Sequence, residues 1–221
     1  MESQREDGRF LGVELVERDP KKFTGTTTVG VVCKDGVVLA ADTRATAGHL
    51  IASKRAKKLY GITERVAATV AGGVGDVQAL IRMLRAEASL YTVREGRPIT
   101  VGAVAKMASN LLHSQFFLPY LAHLLVGGVD EDGPRLYFVG MEGTLTEEKM
   151  VATGSGSPVA YGVLENEVKE GAKVKEVLPV AVKAVRTAMK RDIATGNEVE
   201  VLVVRESGIQ SLSPEEILKL S

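Results

Sequence analysis

The chain has a single cysteine, Cys33, among its 221 residues, so an internal disulfide is excluded. Its place in an apolar, strand-like run makes it a small buried hydrophobe in a reducing compartment. Net charge is also lacking: lysine plus arginine number 28, as do aspartate plus glutamate, so no global field favours nucleic acid or an anionic membrane as a partner. No uninterrupted apolar stretch approaches the roughly 20 residues of a membrane span. The first 25 residues include Arg5, Glu6, Asp7, Arg9, Glu14, Glu17, Arg18, Asp19, Lys21 and Lys22 without a sustained apolar core, which excludes a secretory signal. A soluble, cytoplasmic protein is the expectation. There is no internal repeat and no low-complexity tract.

Several common site patterns are missing as well. His49, His113 and His123 do not have a His-Glu-x-x-His spacing, so they are expected at the surface or as satisfied core residues, and no metal site is expected. The turn Gly72-Gly73-Val74-Gly75 precedes a helix but does not complete Gly-x-Gly-x-x-Gly, and no phosphate-loop lysine follows. Ser155 lacks the glycine two residues earlier that a serine nucleophile elbow requires.

What is present begins at Gly25-Thr26, where a polar leader ending in Lys21-Lys22-Phe23-Thr24-Gly25 meets the β-branched run Thr26 to Val32. That run reads as a strand. A favoured turn at Asp35-Gly36 leads to a second apolar run, Val37 to Ala41, and then to Asp42-Thr43-Arg44-Ala45-Thr46. Such a hairpin returns the chain to its starting end, so Asp42 is expected near Thr26. The segment from Lys54 to Leu59 can bring an ammonium to the same place. A threonine nucleophile needs a base, and one solution is its own α-amine when it is the first residue. Here the leader must first be cut at Gly25-Thr26. Glycine before the cut suits close exposure of its carbonyl, because without a Cβ it can adopt uncommon backbone angles. Blander readings stand beside these: threonine is a good strand former, and Lys58 with Lys54, Arg55 and Lys57 fits a solvated basic face.

The rest of the chain alternates strands and helices. Leu59 to Ile62 and Val66 to Gly72 read as strands, and a helix from Asp76 to about Arg94 carries Val77, Leu80, Ile81, Leu84 and Ala88 at helical spacing. Thr100 can cap a second helix whose stripe is Val101, Val104, Ala105, Ala108, Leu111 and Leu112. Leu121 to Val129, Arg135 to Gly140 and Lys149 to Thr153 are expected to form a second antiparallel set. A short helix to about Glu165 follows Pro158, then a longer one marked by Val177 to Met189, with Pro179 expected in its first turn. Glu198 to Arg205 and Ile209 to Leu212 close as a hairpin, and Pro214 to Leu220 is a terminal helix. This order gives an α+β class and a single domain, residues 26–221, after the leader. Two sheets packed face to face with helices outside both would bury these strands.

Six segments taken in order carry a resemblance: Gly25-Thr26-Thr27-Thr28-Val29-Gly30, Ala41-Asp42-Thr43-Arg44, Lys57-Lys58-Leu59, Ala71-Gly72-Gly73-Val74-Gly75-Asp76, Thr153-Gly154-Ser155-Gly156-Ser157-Pro158 and Lys190-Arg191-Asp192. Over nearly the whole chain after Gly25 the sequence resembles the β subunits of the 20S proteasome, most closely the archaeal type. The resemblance implies the four-layer αββα sandwich of the N-terminal nucleophile hydrolases, two antiparallel sheets flanked by helices. It implies that residues 1–25 are a propeptide removed by autolysis, that Thr26 is the nucleophile, and that Asp42 and Lys58 are the charged pair beside it. The physics fits: an ammonium near the hydroxyl favours its ionised form, and an aspartate partner offsets the cost of burying the lysine. Gly72 matches the residue whose backbone N–H completes the oxyanion hole. Ser155, Asp192 and Thr195 match positions around the nucleophile and its amine, the last being often serine in the family. Ala45, Thr46, Ala56, Val70 and Gly72 match substrate-binding positions, with Ala45, Ala56 and Val70 lining the first specificity pocket.

The same resemblance implies an endopeptidase that needs no cofactor and cuts unfolded polypeptides. It further implies seven-membered β rings stacked between α rings, an enclosed chamber, and an ATP-driven unfoldase feeding it. A noncatalytic wall subunit of the β ring is the alternative, and the presence of Gly25, Thr26, Asp42 and Lys58 together argues against it.

Overall fold

The structure, a computed structural model, describes residues 9–10, 13–14, 25–114, 120 and 122–220. Most of the leader, and Leu121 at the start of one expected strand, lie outside the described residues. In chain order the elements are β1 (Arg9–Phe10), β2 (Val13–Glu14), β3 (Thr28–Cys33), β4 (Gly36–Asp42), β5 (Ala45–Ala47), β6 (Leu50–Ser53), β7 (Leu59–Gly61), β8 (Val66–Gly72), α1 (Val74–Glu95), α2 (Val101–Ser114), β9 (Ala122–Asp130), β10 (Gly133–Val139), β11 (Leu145–Glu147), β12 (Met150–Thr153), α3 (Ser157–Glu167), α4 (Val174–Met189), β13 (Val199–Arg205), β14 (Gly208–Ser211) and α5 (Pro214–Leu218).

Two five-stranded antiparallel sheets form the centre, ordered β12-β3-β4-β13-β14 and β11-β10-β9-β8-β7. Strand β4 shows why they stack, since every residue in it is buried. Alternation sends Val37, Leu39 and Ala41 into a layer shared with Ala67, Leu125 and Leu136 of the other sheet. Val38 and Ala40 face the opposite way, against Val177, Ala181, Val182 and Val185 of α4. On the far side, Leu80, Ile81 and Leu84 of α1 and Val104, Ala105 and Ala108 of α2 cover the second sheet. Helices, sheet, sheet, helices is therefore the layering, and fully burying each such Val, Leu or Ile side chain contributes about 1.5–3 kcal/mol. Helix α4 buries one broad face, including Val177, Ala181, Val182 and Val185, whereas α1 also leaves Met83, Leu90 and Val93 exposed.

Several expectations need correction. The β3–β4 turn is Lys34-Asp35, one residue earlier than Asp35-Gly36, with Cys33 paired to Gly36. Asp35 instead accepts the Val174 N–H at 2.7 Å, fixing the start of α4. That start, reinforced by the Glu176 carboxylate on the Lys173 N–H at 2.8 Å, puts Pro179 beyond the first turn and inside the helix. Strand β12 joins the first sheet, with Thr153 opposite Thr28, rather than the set formed by β9 and β10. The β5–β6 hairpin and β11 were not expected, all three strands being short and β6 and β11 largely exposed. Cys33 is buried, and burial pushes its thiol up to about 12.

This topology collects one edge of the sandwich. The start of β3 lies beside the ends of β4 and β12, the start of β13 pairs with Asp42, and in the other sheet the start of β7 pairs near the end of β8. The two sheets are also pinned there by hydroxyls: Thr69 Oγ1 donates to Thr28 Oγ1 at 2.9 Å, and Thr28 Oγ1 lies 2.7 Å from Thr153 Oγ1.

Candidate active site

Thr26 sits at that edge, 3% exposed, two residues before β3, which starts at Thr28 and not at Thr26 as the β-branched run suggested. Its main chain is held by the loop after β12. The Thr26 N–H points to Ser155 Oγ at 3.2 Å, and the Gly156 N–H points to the Thr26 carbonyl at 3.4 Å. The loop reaches this close because Gly154 adopts φ +90°, and a Cβ there would stand 2.1 Å from the Thr26 oxygen. Ser155 in turn donates to Asp192 Oδ2 at 2.5 Å, and Thr195 Oγ1 donates to the same oxygen at 2.5 Å. With its proton given to Asp192, the Thr195 oxygen accepts from Thr27 Oγ1, 2.7 Å away. Threonine thus keeps the hydroxyl bonding expected where serine is common.

Gly25 is fixed from its other side. Its N–H donates to Thr46 Oγ1 at 2.9 Å. A Cβ on Gly25 would lie 1.8 Å from Ala194 Cβ and 3.1 Å from Ser155 Oγ. Gly25 is not among the glycines with positive φ, so space, rather than the uncommon backbone angles expected from sequence, is the reason for glycine here. Thr46, expected against substrate, holds the residue before Thr26 in this uncut chain.

Asp42, fully buried at the end of β4, collects the charge chemistry. Lys58 Nζ reaches its Oδ1 at 2.7 Å, and the Thr27 N–H reaches the same atom at 2.8 Å. The N–H groups of Arg44 and Gly196 donate to Oδ2 at 3.0 and 2.9 Å. Four donors therefore satisfy the carboxylate. Lys58 is 5% exposed. Burial pulls its pKa below the ordinary lysine value, opposed by the charge and hydrogen bond of Asp42 and by the fields of Asp192 and Glu200.

One small cavity, about 80 Å³, is lined by Thr26, Lys58, Gly72, Ala45, Ala56 and Val70, with Lys57, Tyr60, Val77 and Gln78. It gathers the expected nucleophile, lysine, oxyanion glycine and pocket residues on one wall. Gly72 ends β8 at φ +152°, a backbone that L side chains rarely adopt. Larger hollows lie away from Thr26, such as one of about 460 Å³ between Arg65, Arg97 and Asp130. Sequence reasoning did not single out Tyr60, Gln78 or Ala194. Tyr60 and Gln78 follow Lys58 and Gly72 closely enough to have been suspected, but nothing in the chain signals Ala194.

The histidines stand apart from this wall. His113 Nδ1 lies 3.2 Å from the Glu142 carbonyl, and the His123 ring tilts against Phe138 with centroids 5.8 Å apart. Burial lowers the pKa of His123. Among the described residues no helix is long and apolar enough to cross a membrane.

Paired sheets between two helical layers, opening on a buried threonine at the first central strand, place the fold with the N-terminal nucleophile hydrolases. The family profile described as "Proteasome subunit" matches residues 22–204. A curated proteasome subunit beta of Ferroglobus placidus is 52% identical over 198 residues, 89% of this chain and 94% of that protein. Those of Archaeoglobus fulgidus and Methanocaldococcus vulcanius are each 50% identical, covering 90% and 89% of this chain and 94% and 89% of their own lengths. The chain belongs to the proteasome subunit family, and within it stands with the archaeal β subunits.

Proposed function

We propose that the chain is a threonine endopeptidase, made as a precursor that cuts itself at Gly25-Thr26 and then hydrolyses peptide bonds of unfolded polypeptides. The observation that carries this reading is the convergence of Thr26, Lys58 and Gly72 on one cavity wall. Cutting frees the Thr26 amine, whose unperturbed pKa of about 7.7–8.0 leaves it able to accept a proton near neutrality. The Thr26 hydroxyl gives its proton to that amine as Oγ bonds to the scissile carbonyl carbon. The Gly72 N–H takes the oxyanion, and the Lys58 ammonium, held by Asp42, favours the charged oxygen. Collapse breaks the C–N bond, the leaving amine takes the proton, and water then releases the acyl group from Oγ.

The hydroxyls of Ser155 and Thr195 have a supporting part. Both protons are directed at Asp192, so the Ser155 oxygen presents a lone pair to the nitrogen of Thr26. After cutting it can hold an N–H of the free amine and orient its lone pair towards the hydroxyl. No cofactor enters these steps. We place the subunit in seven-membered β rings stacked between α rings in the cytoplasm, with an ATP-driven unfoldase supplying substrate.

Two outcomes test this. Because a methyl at residue 25 meets Ala194, Gly25→Ala should displace the reacting carbonyl and slow leader removal by roughly a hundredfold. A time course of intact mass measures it, and processing at the normal rate would contradict the spatial argument. Ala45, Ala56 and Val70 are small or medium in size and uncharged, so a panel of fluorogenic peptides given to assembled particles should show preferred cleavage after large apolar residues. Preference for acidic or basic residues there would mean that another wall sets specificity.

A further inference from the structure

We propose that Arg44 is a positioning residue that clamps residues 193–197 against the Thr26 site, an inference that rests on the endopeptidase reading above. Arg44 is half-buried and is not among the residues lining the cavity. Its guanidinium instead spans one loop. Nη1 donates to the Ile193 carbonyl at 2.7 Å, and Nε donates to Asn197 Oδ1 at 3.0 Å.

Each residue between those anchors acts on the site. Ala194 walls Gly25. Thr195 Oγ1 joins Asp192 to Thr27. The Gly196 N–H donates to Asp42 Oδ2. The guanidinium lies so close over Gly196 that a Cβ there would be 2.4 Å from Cζ and Nη2. Asn197 holds the loop's exit at φ +72°, a left-handed conformation that asparagine tolerates better than most residues. The main chain of Arg44 completes the link, since its N–H shares Asp42 Oδ2 with that of Gly196. One residue thus ties the carboxylate that holds Lys58 to the loop that begins at Asp192. The requirement is for a planar fork with donors in fixed directions, which a single ammonium does not reproduce.

The test uses assembled, leader-free particles. Arg44→Lys and Arg44→Ala should lower kcat by roughly ten- to a hundredfold, the scale of a displaced reacting group, with KM for a fluorogenic peptide little changed. Millimolar guanidinium, far below denaturing levels, should restore part of kcat to Arg44→Ala particles and none to wild type. Asn197→Gly keeps the left-handed backbone accessible while removing one acceptor, and should cost about three- to tenfold, the worth of one hydrogen bond. Combined with Arg44→Ala it should cost nothing further, because the bond is already gone. If Arg44→Ala does not assemble, Asn197→Gly decides alone.

Unchanged kcat in the assembled Arg44 variants, or in Asn197→Gly where that variant stands alone, overturns the proposal. So does a loss that guanidinium cannot restore and that adds fully to the loss in Asn197→Gly. A Thr26→Ala control separates the two claims: full activity in that variant removes Thr26 as the nucleophile and with it the threonine-peptidase reading, whatever the Arg44 variants do.

Discussion

Assembled Thr26→Ala particles are expected to keep residues 1–25 and to hydrolyse fluorogenic peptides roughly a thousandfold or more slowly than wild type, as when a nucleophile is removed from a site that acts as a unit. The substitution is a clean one structurally. The bonds that fix Thr26 run through its main chain, to Ser155 and Gly156, and alanine preserves them. The loss would therefore belong to the hydroxyl rather than to collapse of the loop around it. Intact mass and peptide turnover on the same preparation check both halves of the expectation. Leader removal at the ordinary rate in this variant would take Thr26 out of the chemistry.

Lys58→Ala is expected to remove most turnover while leaving particles assembled, with kcat down roughly a hundredfold to ten-thousandfold, as for other losses of one charged catalytic group. Breaking a buried ion pair costs about 3–5 kcal/mol when the remaining charge is uncompensated. Here Asp42 would keep the N–H groups of Thr27, Arg44 and Gly196, which offsets part of that penalty. Near-normal kcat in assembled particles would return Lys58 to a structural role.

The lowered pKa of Lys58 carries a pH dependence with a definite sign. Because burial disfavours the ammonium in the folded state, the unfolded chain binds that proton more readily. This group's contribution to stability therefore rises with pH between the folded value and the ordinary lysine value. Activity should do the opposite, since the proposed mechanism uses the ammonium. The alkaline limb of kcat is expected below the ordinary lysine range, and in Lys58→Arg, which keeps a charge that does not titrate there, that limb should move to higher pH.

Much of this arrangement was legible because it is local. The run of β-branched residues after Gly25, the apolar run ending at Asp42 and a turn between them are enough to bring Asp42 beside Thr26, and a one-residue error in the turn changes nothing at the far end of the ladder. The helical stripes of α1, α2 and α4 were readable for the same reason, each repeating within a few turns. Sheet membership was not. Lys149 to Thr153 follows two strands of one sheet yet pairs with Thr28–Val31 in the other, a choice made by partners more than a hundred residues away. Pro179 misled because the start of α4 is set by Asp35 and Glu176, and Asp35 is remote in sequence. Ala45 to Ser53 carries no strand signal because its two strands are short, β6 is exposed, and Gly48 separates them.

The site divides along the same line. Thr26 and Asp42 follow from a hairpin, whereas Asp192, Thr195 and the glycine of residue 72 were placed by resemblance, with no local pattern pointing to them. The clamp of Arg44 on Ile193 and Asn197 joins segments about 150 residues apart. Nothing short of the folded arrangement links an arginine near the first hairpin to a loop after the last long helix.

Intact mass and N-terminal sequence of the purified, assembled particle test the central claim most directly, because a threonine can act through its own amine only when it is the first residue. The expected result is a chain lacking residues 1–25 and beginning Thr-Thr-Thr-Val-Gly, in the same preparation that hydrolyses peptides. Particles that turn over peptide at full rate with Gly25 still joined to Thr26 would contradict it.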